Sequence, residues 1–426
     1  MYHSQKNKEY PLKGGNTISV IGGAGHVGLP LCLTLAKHGF HVYGIDTNQE
    51  SNDAIMRGTL PFKEEMGKEY LDEALSQGTL YMTNDTSVMQ ESKIVVITLG
   101  TPLDKNLNPW ISDLIQTIIE NSRYFSSGQL IILRSTVYPG TTEAVKRILE
   151  KGDRFTVGKD ILLVYAPERV VQGKSIMEIQ ELPQLIGTFD DNSYQVAEEF
   201  FKSFIKAECL RLSPVEAELG KLFCNMYRYV NFALANEFYL ISDLYKANIH
   251  NIIDSCNYKY PRMNIPRPGP NVAGPCLFKD GWFLLERLPF NEIISASFKI
   301  NEGMPMQIVT RIEQMTSITK ATILGVTFKA GSDDTRNSLS LKLKNQLLRN
   351  GYEVILVDPN VIGYQSIKEI EGSDVVILMT PHEEFKDFNS IKRIVANDNC
   401  LFVDIWGFWD SMKYKSQNGF FFGKDV

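Results

Sequence analysis

Two hydrophobic rhythms alternate along the chain. Short unbroken apolar runs are bounded by turn residues, and between them apolar positions recur every three or four residues. The first pattern predicts buried strands and the second predicts helices. Strands are expected at Thr17–Ile21, His41–Asp46, Ser92–Thr98, Gln129–Ser135 and Asp160–Tyr165, with a helix at Leu29–His38 closed by Gly39. Strands that alternate with helices predict a parallel sheet with both faces covered.

The rhythm changes at Ser213-Pro214-Val215-Glu216, a capping box with proline at the first helical position. From there to about Ala247 no further proline interrupts a helical pattern, and the only glycine is Gly220. At about 1.5 Å per residue such a helix spans about 50 Å, a length suited to bridging domains or building an oligomer interface. Asn257 to Pro275, rich in Pro, Arg, Asn and Gly, predicts an irregular loop of the length usually given to function. Asp280 is expected to open another helix through Trp282-Phe283-Leu284-Leu285, and helical patterns continue to about Thr319. Strands return at Ala321–Val326, Glu353–Val357, Ser373–Thr380 and Leu401–Ile405, with a helix at Leu339–Leu348 closed by Asn350-Gly351. The pattern predicts an α/β fold: two doubly wound parallel-sheet domains joined by a central helical domain with one long helix.

Composition narrows the class. A chain of 426 residues is long enough for two or three domains. Hydrophobic content of 43% and charged content of 22% suit a globular protein with full cores. The net charge is −6 and no long basic block occurs, so nucleic acid is not an expected partner. None of the six cysteines forms a C-x-x-C pair and the histidines lack metal spacing, so no metal is expected. Scattered thiols suit a reducing compartment and predict a cytoplasmic protein. Met1–Gly14 is polar and no apolar run reaches membrane-spanning length, so no membrane association is expected.

The chemistry concentrates in a few stretches. Gly23-Ala24-Gly25-His26-Val27-Gly28 follows the first strand and opens the first helix, and Asp46 ends the second strand. A G-x-G-x-x-G in a complete βαβ context, with an acid roughly 20 residues on, is the dinucleotide fingerprint. In this reading Gly23 permits the tight turn, Gly25 lets the backbone approach a pyrophosphate, and Gly28 lets helix and strand pack. Asp46 would accept bonds from both ribose hydroxyls and repel a 2′-phosphate, which favours NAD over NADP. Thr101, Thr136 and Glu168 each stand where a predicted strand stops, the edge at which a parallel sheet gathers ligands. Each could equally be a helix cap or loop residue.

Lys221 and Asn225, four apart on the long helix, share a face; they are either functional or a solvated pair. Gly274-Pro275-Cys276-Leu277-Phe278-Lys279-Asp280 places a thiol, an ammonium and a carboxylate within five residues. The Gly-Pro pair is expected to hold the backbone out of a helix just before the thiol. A cysteine beside a cation can lose its proton near neutral pH and act as a nucleophile; the alternative is a buried thiol beside a surface ion pair. Lys329 and Arg336 are candidate anion contacts, or two exposed bases.

Together these landmarks resemble the nucleotide-sugar 6-dehydrogenases, the UDP-glucose and GDP-mannose dehydrogenase family, over nearly the whole chain from Asn16. They fall in the family's order: Gly23 to Pro30; Ser135-Thr136-Val137 with Pro139-Gly140-Thr141-Thr142; Pro167-Glu168-Arg169-Val170; Glu218-Leu219-Gly220-Lys221 with Asn225 and Asn236-Glu237; Gly274 to Asp280; and Phe328-Lys329 with Asp334 to Ser338. The resemblance implies an N-terminal tail at 1–15, an NAD-binding Rossmann domain at 16–208, a central helical domain at 209–318 that carries the catalytic lysine and cysteine and dimerises, and a UDP-sugar-binding Rossmann-like domain at 319–426.

It also implies a four-electron oxidation of a sugar C6 alcohol to a carboxylate with two NAD⁺. Lys221, or a water held by Asp280, would take the hydroxyl proton. Cys276 would trap the aldehyde, and Lys221 and Asn225 would steady the oxyanion. Glu168 and Asp280 would activate water for thioester hydrolysis, and Thr136 would orient water or the nicotinamide. Gly23, Gly25, His26, Val27, Gly28, Asp46, Thr101 and Arg336 would contact the cofactor. Glu168, Arg169, Val170, Lys221, Asn225, Arg267 and Lys329 would contact the UDP-sugar, Arg267 reaching into a neighbouring subunit of a homodimer built on the long helix.

Three positions depart from the family pattern: Phe278 where many members have Pro, Arg134 where many have an acid, and an extra Gly22 in the first turn. The stretch from Asn225 to Glu237, with Glu168-Arg169-Val170 and Gly173-Lys174, looks closest to the branch acting on UDP-N-acetylhexosamines, UDP-N-acetylmannosamine among them. UDP-glucose and GDP-mannose stay open as substrates, as does a two-electron 3-hydroxyacid-type dehydrogenase.

Overall fold

The computed structural model describes residues 16–104, 110–270, 274–285, 288, 290–364, 366–404, 406–409, 419–421 and 424–425; of the side chains at 275, 276, 419–421 and 424–425 it says nothing. The chain divides into two compact units, one of Met1–Phe223 with Trp282–Glu286, the other of Cys224–Gly281 with Arg287–Val426.

The first unit is built on an eight-stranded sheet of β1 (Thr17–Ile21), β2 (His41–Ile45), β3 (Leu80–Thr83), β4 (Ile94–Ile97), β5 (Leu130–Leu133), β6 (Leu162–Tyr165), β7 (Gln184–Thr188) and β8 (Cys209–Leu212). Its order is β3-β2-β1-β4-β5-β6-β7-β8. Every pair is parallel except β6 with β7. The inner strands are buried along nearly their whole length, only Ile94 at the start of β4 being half-buried, which is why they read as largely apolar runs. β3 and β8 carry alternating or exposed positions and escape that pattern.

The second unit holds a six-stranded sheet of β9 (Lys320–Leu324), β10 (Glu353–Val357), β11 (Val375–Leu378), β12 (Leu401–Asp404), β13 (Gly419–Phe421) and β14 (Lys424–Asp425), in the order β10-β9-β11-β12-β13-β14. All pairs but β13 with β14 are parallel. Helices Ile249–Asn257 and Glu292–Met315 contribute Ile249, Ile253, Met304, Ile308 and Ile312 to the core that covers β9 and β11.

The long helix runs from Pro214 to Leu244, 31 residues. Its capping box forms as expected: the Ser213 amide and hydroxyl both donate to Glu216 Oε2, at 2.8 and 2.6 Å. Two local expectations fail near the thiol. Gly274–Asp280 is itself a helix, and Asp280 closes it instead of opening the next one, which does form over Trp282–Leu285 as expected. Proline fits a first helical turn, whose amide has no helical partner. Gly274, at φ +59°, makes the bend into that turn, and a side chain there would meet the Phe328 ring at 2.9 Å. Among the described residues no helix is long and apolar enough to cross a membrane.

Candidate active site

The dinucleotide turn lies at the carboxyl end of β1, where strand order reverses between β1 and β4. The glycine roles are redistributed from those expected. The left-handed residue is Gly22, at φ +83°, not Gly23. A Cβ on Gly23 would lie 2.6 Å from Gly44 Cα, so Gly23 serves the close approach of the turn to β2. A Cβ on Gly28 would lie 2.0 Å from the Gly22 carbonyl, so helix Gly28–Lys37 packs onto the turn only through glycine. A Cβ on Gly25 would meet only the Gly22 carbonyl, at 3.3 Å, leaving that backbone open to a ligand.

Helix Gly28–Lys37 has no side-chain cap at Val27, an arrangement in which a helix N-terminus can receive a phosphate. The Ala24 and Asn48 amides donate to the Asp46 carboxylate at 3.2 and 3.0 Å, which fixes its direction and leaves lone pairs for a ribose. The His26 ring stacks on Phe62, centroids 4.1 Å apart. Sequence reasoning passed over Phe62 because it lies on a loop far along the chain. These features fit NAD, which would supply a hydride acceptor above the sheet's carboxyl edge.

At the next two strand ends the Thr101 hydroxyl donates to the Thr136 carbonyl at 2.6 Å, tying the two loops together. Past β6, Glu168 is buried. Its Oε1 accepts the Arg169 and Val170 amides at 2.6 and 2.8 Å, and its Oε2 accepts from Arg134 at 2.8 Å. Burial pushes this carboxyl up, but Arg134, the Val170 amide and Lys221 outweigh it and hold the group below the usual carboxylate range. The Arg169 guanidinium turns to the Pro183 carbonyl. Glu64 receives the Gly173 and Ile176 amides at 3.1 and 3.0 Å and so anchors the far end of this loop.

Lys221 and Asn225 are both buried and stand one turn apart on the long helix. One turn earlier, Glu218 accepts the Gly140 and Thr142 amides at 2.6 and 2.7 Å, capping the helix that follows β5. The sequence motif contained Glu218, but nothing local revealed that partner, more than 70 residues away.

In the second unit Asp280 is fully buried. Its Oδ2 accepts from Asn225 at 2.6 Å and its Oδ1 from Lys279 at 2.8 Å. The backbone of Cys276 lies one turn before Asp280 in the same short helix; its side chain lies outside the described residues. Phe278 is half-buried with its ring against Phe298, an apolar contact suited to the place of a proline. The Pro-rich loop is tied down by Asn257, which pairs with Ile265 through both of its side-chain atoms, and by Asn236, which does the same with Gly269. Arg267 pairs with Asp254 at 2.6 Å at the surface. Arg336 is held by Asp334 at 2.6 Å, and the Lys329 carbonyl accepts from Thr327 Oγ1 at 3.0 Å.

Comparison with known proteins finds one family matched in three stretches of the chain. Residues 16–205 match the NAD binding domain of the UDP-glucose/GDP-mannose dehydrogenase family, 215–302 its central domain, and 322–411 its UDP binding domain. A UDP-N-acetyl-D-mannosamine dehydrogenase of Methanocaldococcus jannaschii is 32% identical over 92% of this chain and 92% of its own. The structure of a UDP-D-ManNAc dehydrogenase from Pyrococcus horikoshii superposes with a TM-score of 0.88 at 32% identity, covering 96% of this chain and 99% of that one. A UDP-N-acetyl-mannosamine dehydrogenase from Staphylococcus aureus gives a TM-score of 0.83 at 28% identity, covering 96% and 98%.

Proposed function

We propose, on the premise that this chain belongs to the UDP-glucose/GDP-mannose dehydrogenase family, that it is an NAD-dependent dehydrogenase converting the C6 alcohol of a UDP-N-acetylhexosamine, UDP-N-acetylmannosamine foremost, to a carboxylate. The relatives' substrates support the sugar, and the UDP-binding match of residues 322–411 supports the nucleotide. A two-electron 3-hydroxyacid enzyme would leave that domain without a task.

The observation that carries the mechanism is the buried Asp280, held by Asn225 and Lys279 in the helix that carries Cys276. NAD⁺ held at the dinucleotide turn would accept the hydrides, and Lys221, or a water on Asp280, takes the C6 hydroxyl proton. The Cys276 thiolate adds to the aldehyde carbon to form a thiohemiacetal, with Lys221 and Asn225 facing the oxyanion. Loss of a second hydride gives a thioester. Water adds, the thiolate leaves, and the carboxylate product is released. The covalent bond keeps the aldehyde from escaping while the cofactor is exchanged.

Phe223, Tyr227, Leu234 and Ile241 are exposed at spacings of four and seven on the long helix, and such an apolar stripe suits a homodimer. In that dimer Arg267 would leave Asp254 for the neighbouring subunit's substrate.

The test is a panel of UDP- and GDP-sugars with purified protein and NAD⁺. Two NADH per sugar are expected, with a UDP-N-acetylhexosamine preferred; one per sugar would remove the four-electron scheme. Cys276→Ser is expected to lower carboxylate formation at least about a thousandfold. Unimpaired turnover by that variant would take the thiol out of the mechanism.

A further inference from the structure

Arg134 occupies the residue after β5, where relatives were expected to hold an acid, and it is 3% exposed. A guanidinium this deeply buried requires partners. One arm donates to the Ala166 carbonyl at 3.1 Å and to Gln184 Oε1 at 3.0 Å. The other arm reaches Glu168 Oε2 at 2.8 Å. Gln184 is itself fixed, its amide donating to the Pro167 and Leu185 carbonyls at 3.2 and 2.9 Å. Arg134 is thus clamped to the strand end on which Glu168 sits. Both Glu168 oxygens are engaged, one by two amides and one by the guanidinium. Accepting a proton would break one of these bonds within a buried site.

We propose that Arg134 is a positioning residue that fixes the Glu168 carboxylate in its charged form near Lys221, as a stationary counter-charge to the lysine. This rests on the dehydrogenase reading above. The charged groups around Glu168 are Arg134 at the end of β5, Lys221 on the long helix and Arg169 on its own loop, the last turned to Pro183. Glu178 and Glu64 face the same loop further on, through the amides of Val171, Gly173 and Ile176. The direction in which Arg134 and Lys221 move the Glu168 carboxyl agrees with a group that stays ionised at neutral pH.

Four proteins test this: Arg134→Met, Arg134→Lys, Glu168→Gln, and Arg134→Met combined with Glu168→Gln. The first readout is kcat and KM against pH. Without the guanidinium, only the Val170 amide and Lys221 oppose the effect of burial on Glu168, so Arg134→Met should lose about tenfold in kcat at the acid end while its alkaline plateau stays near wild type. Arg134→Lys should restore most of that loss. In the Glu168→Gln background, Arg134→Met should move the profile no further. A wild-type acid limb in Arg134→Met, or a shift that persists beside Glu168→Gln, overturns the proposal.

The second readout is the thermal midpoint against pH, which needs no substrate. In Arg134→Met the folded-state carboxyl would titrate higher than in wild type, so stability should rise less steeply with pH than in wild type across the carboxylate range. The double variant should lose the Glu168 part of that slope. Equal slopes in wild type and Arg134→Met overturn the inference even if no sugar in the panel is oxidised, an outcome that would count separately against the assigned activity.

Discussion

The two sheets begin with the same device used to different ends. After β1, Gly22 turns at φ +83° and donates to the Ile45 carbonyl at 2.8 Å; after β9, Gly325 turns at φ +87° and donates to the Val357 carbonyl at 2.8 Å. Each glycine lies against a threonine past the next strand of its sheet, Thr98 or Thr380, and the following strand ends in an acid, Asp46 or Asp358. The acids then part ways. Asp46 is half-exposed and accepts two amides. Asp358 is buried, and its Oδ2 alone takes the Val326 and Thr327 amides and His382 Nε2, at 2.6, 3.2 and 3.1 Å. Its Oδ1 takes the Asn360 amide at 2.9 Å. On the other side of the ring, Nδ1 accepts from the Gly331 amide and from Asn360. An acid so fully engaged has no room for a ribose. The lesson is that strand, turn and acid build a switch point, and only an acid left open makes it a dinucleotide site.

The strongest test of this parallel is at the turns. Gly28→Ala and Gly325→Ala should each cost about 4 kcal/mol, because their added Cβ atoms would lie 2.0 Å from the Gly22 carbonyl and 2.4 Å from Thr380 Cβ. Tolerance of Gly325→Ala in a denaturant melt would break the comparison at its root. Next, Asp358→Ala should lose about 3 kcal/mol of stability, since it strands buried amides and the His382 donor. Asp46→Ala should barely move the melt but weaken NAD about tenfold and relax discrimination against NADP, measured by titration with both cofactors. If the two alanine variants behave alike, the acids do not differ as described.

The smallest effect concerns acid. Burial raises the Asp358 carboxyl, but His382 and the Val326 amide outweigh it and lower the group below its usual value. A lowered folded-state value contributes stability that is complete above about pH 4 and lost as pH falls further. Asp358→Asn should flatten that part of the melting curve, and an unchanged acid limb would remove the carboxylate from the network.

The buried strands were legible because residues covered on both faces must be apolar without a break: β1 and β10 occupy the expected positions, and the central β4, β5, β6, β9, β11 and β12 differ only at their ends. β3, β7 and β8 lay outside that reading. β3 and β8 have exposed faces, and β7, buried throughout, breaks its apolar run with Gln184, Gly187 and Thr188. The helix around Cys276 was missed because Gly-Pro signals a turn equally well before a helix and in place of one.

Among the candidate residues, those in local motifs could be named from sequence alone, because a glycine turn or a helix face is set by neighbours a few residues apart. Their partners were not. Arg134 stood out only as a departure until the fold set its guanidinium 2.8 Å from Glu168, and Asp358 was only the end of a strand until His382 met it. The chain's own order of residues therefore determined the strands, the dinucleotide turn and the types of the candidate groups. Which carboxylate is clamped and which is left open was decided by the tertiary structure. Burial and long-range hydrogen bonds set the state of an acid, and neither is encoded within a few residues of it.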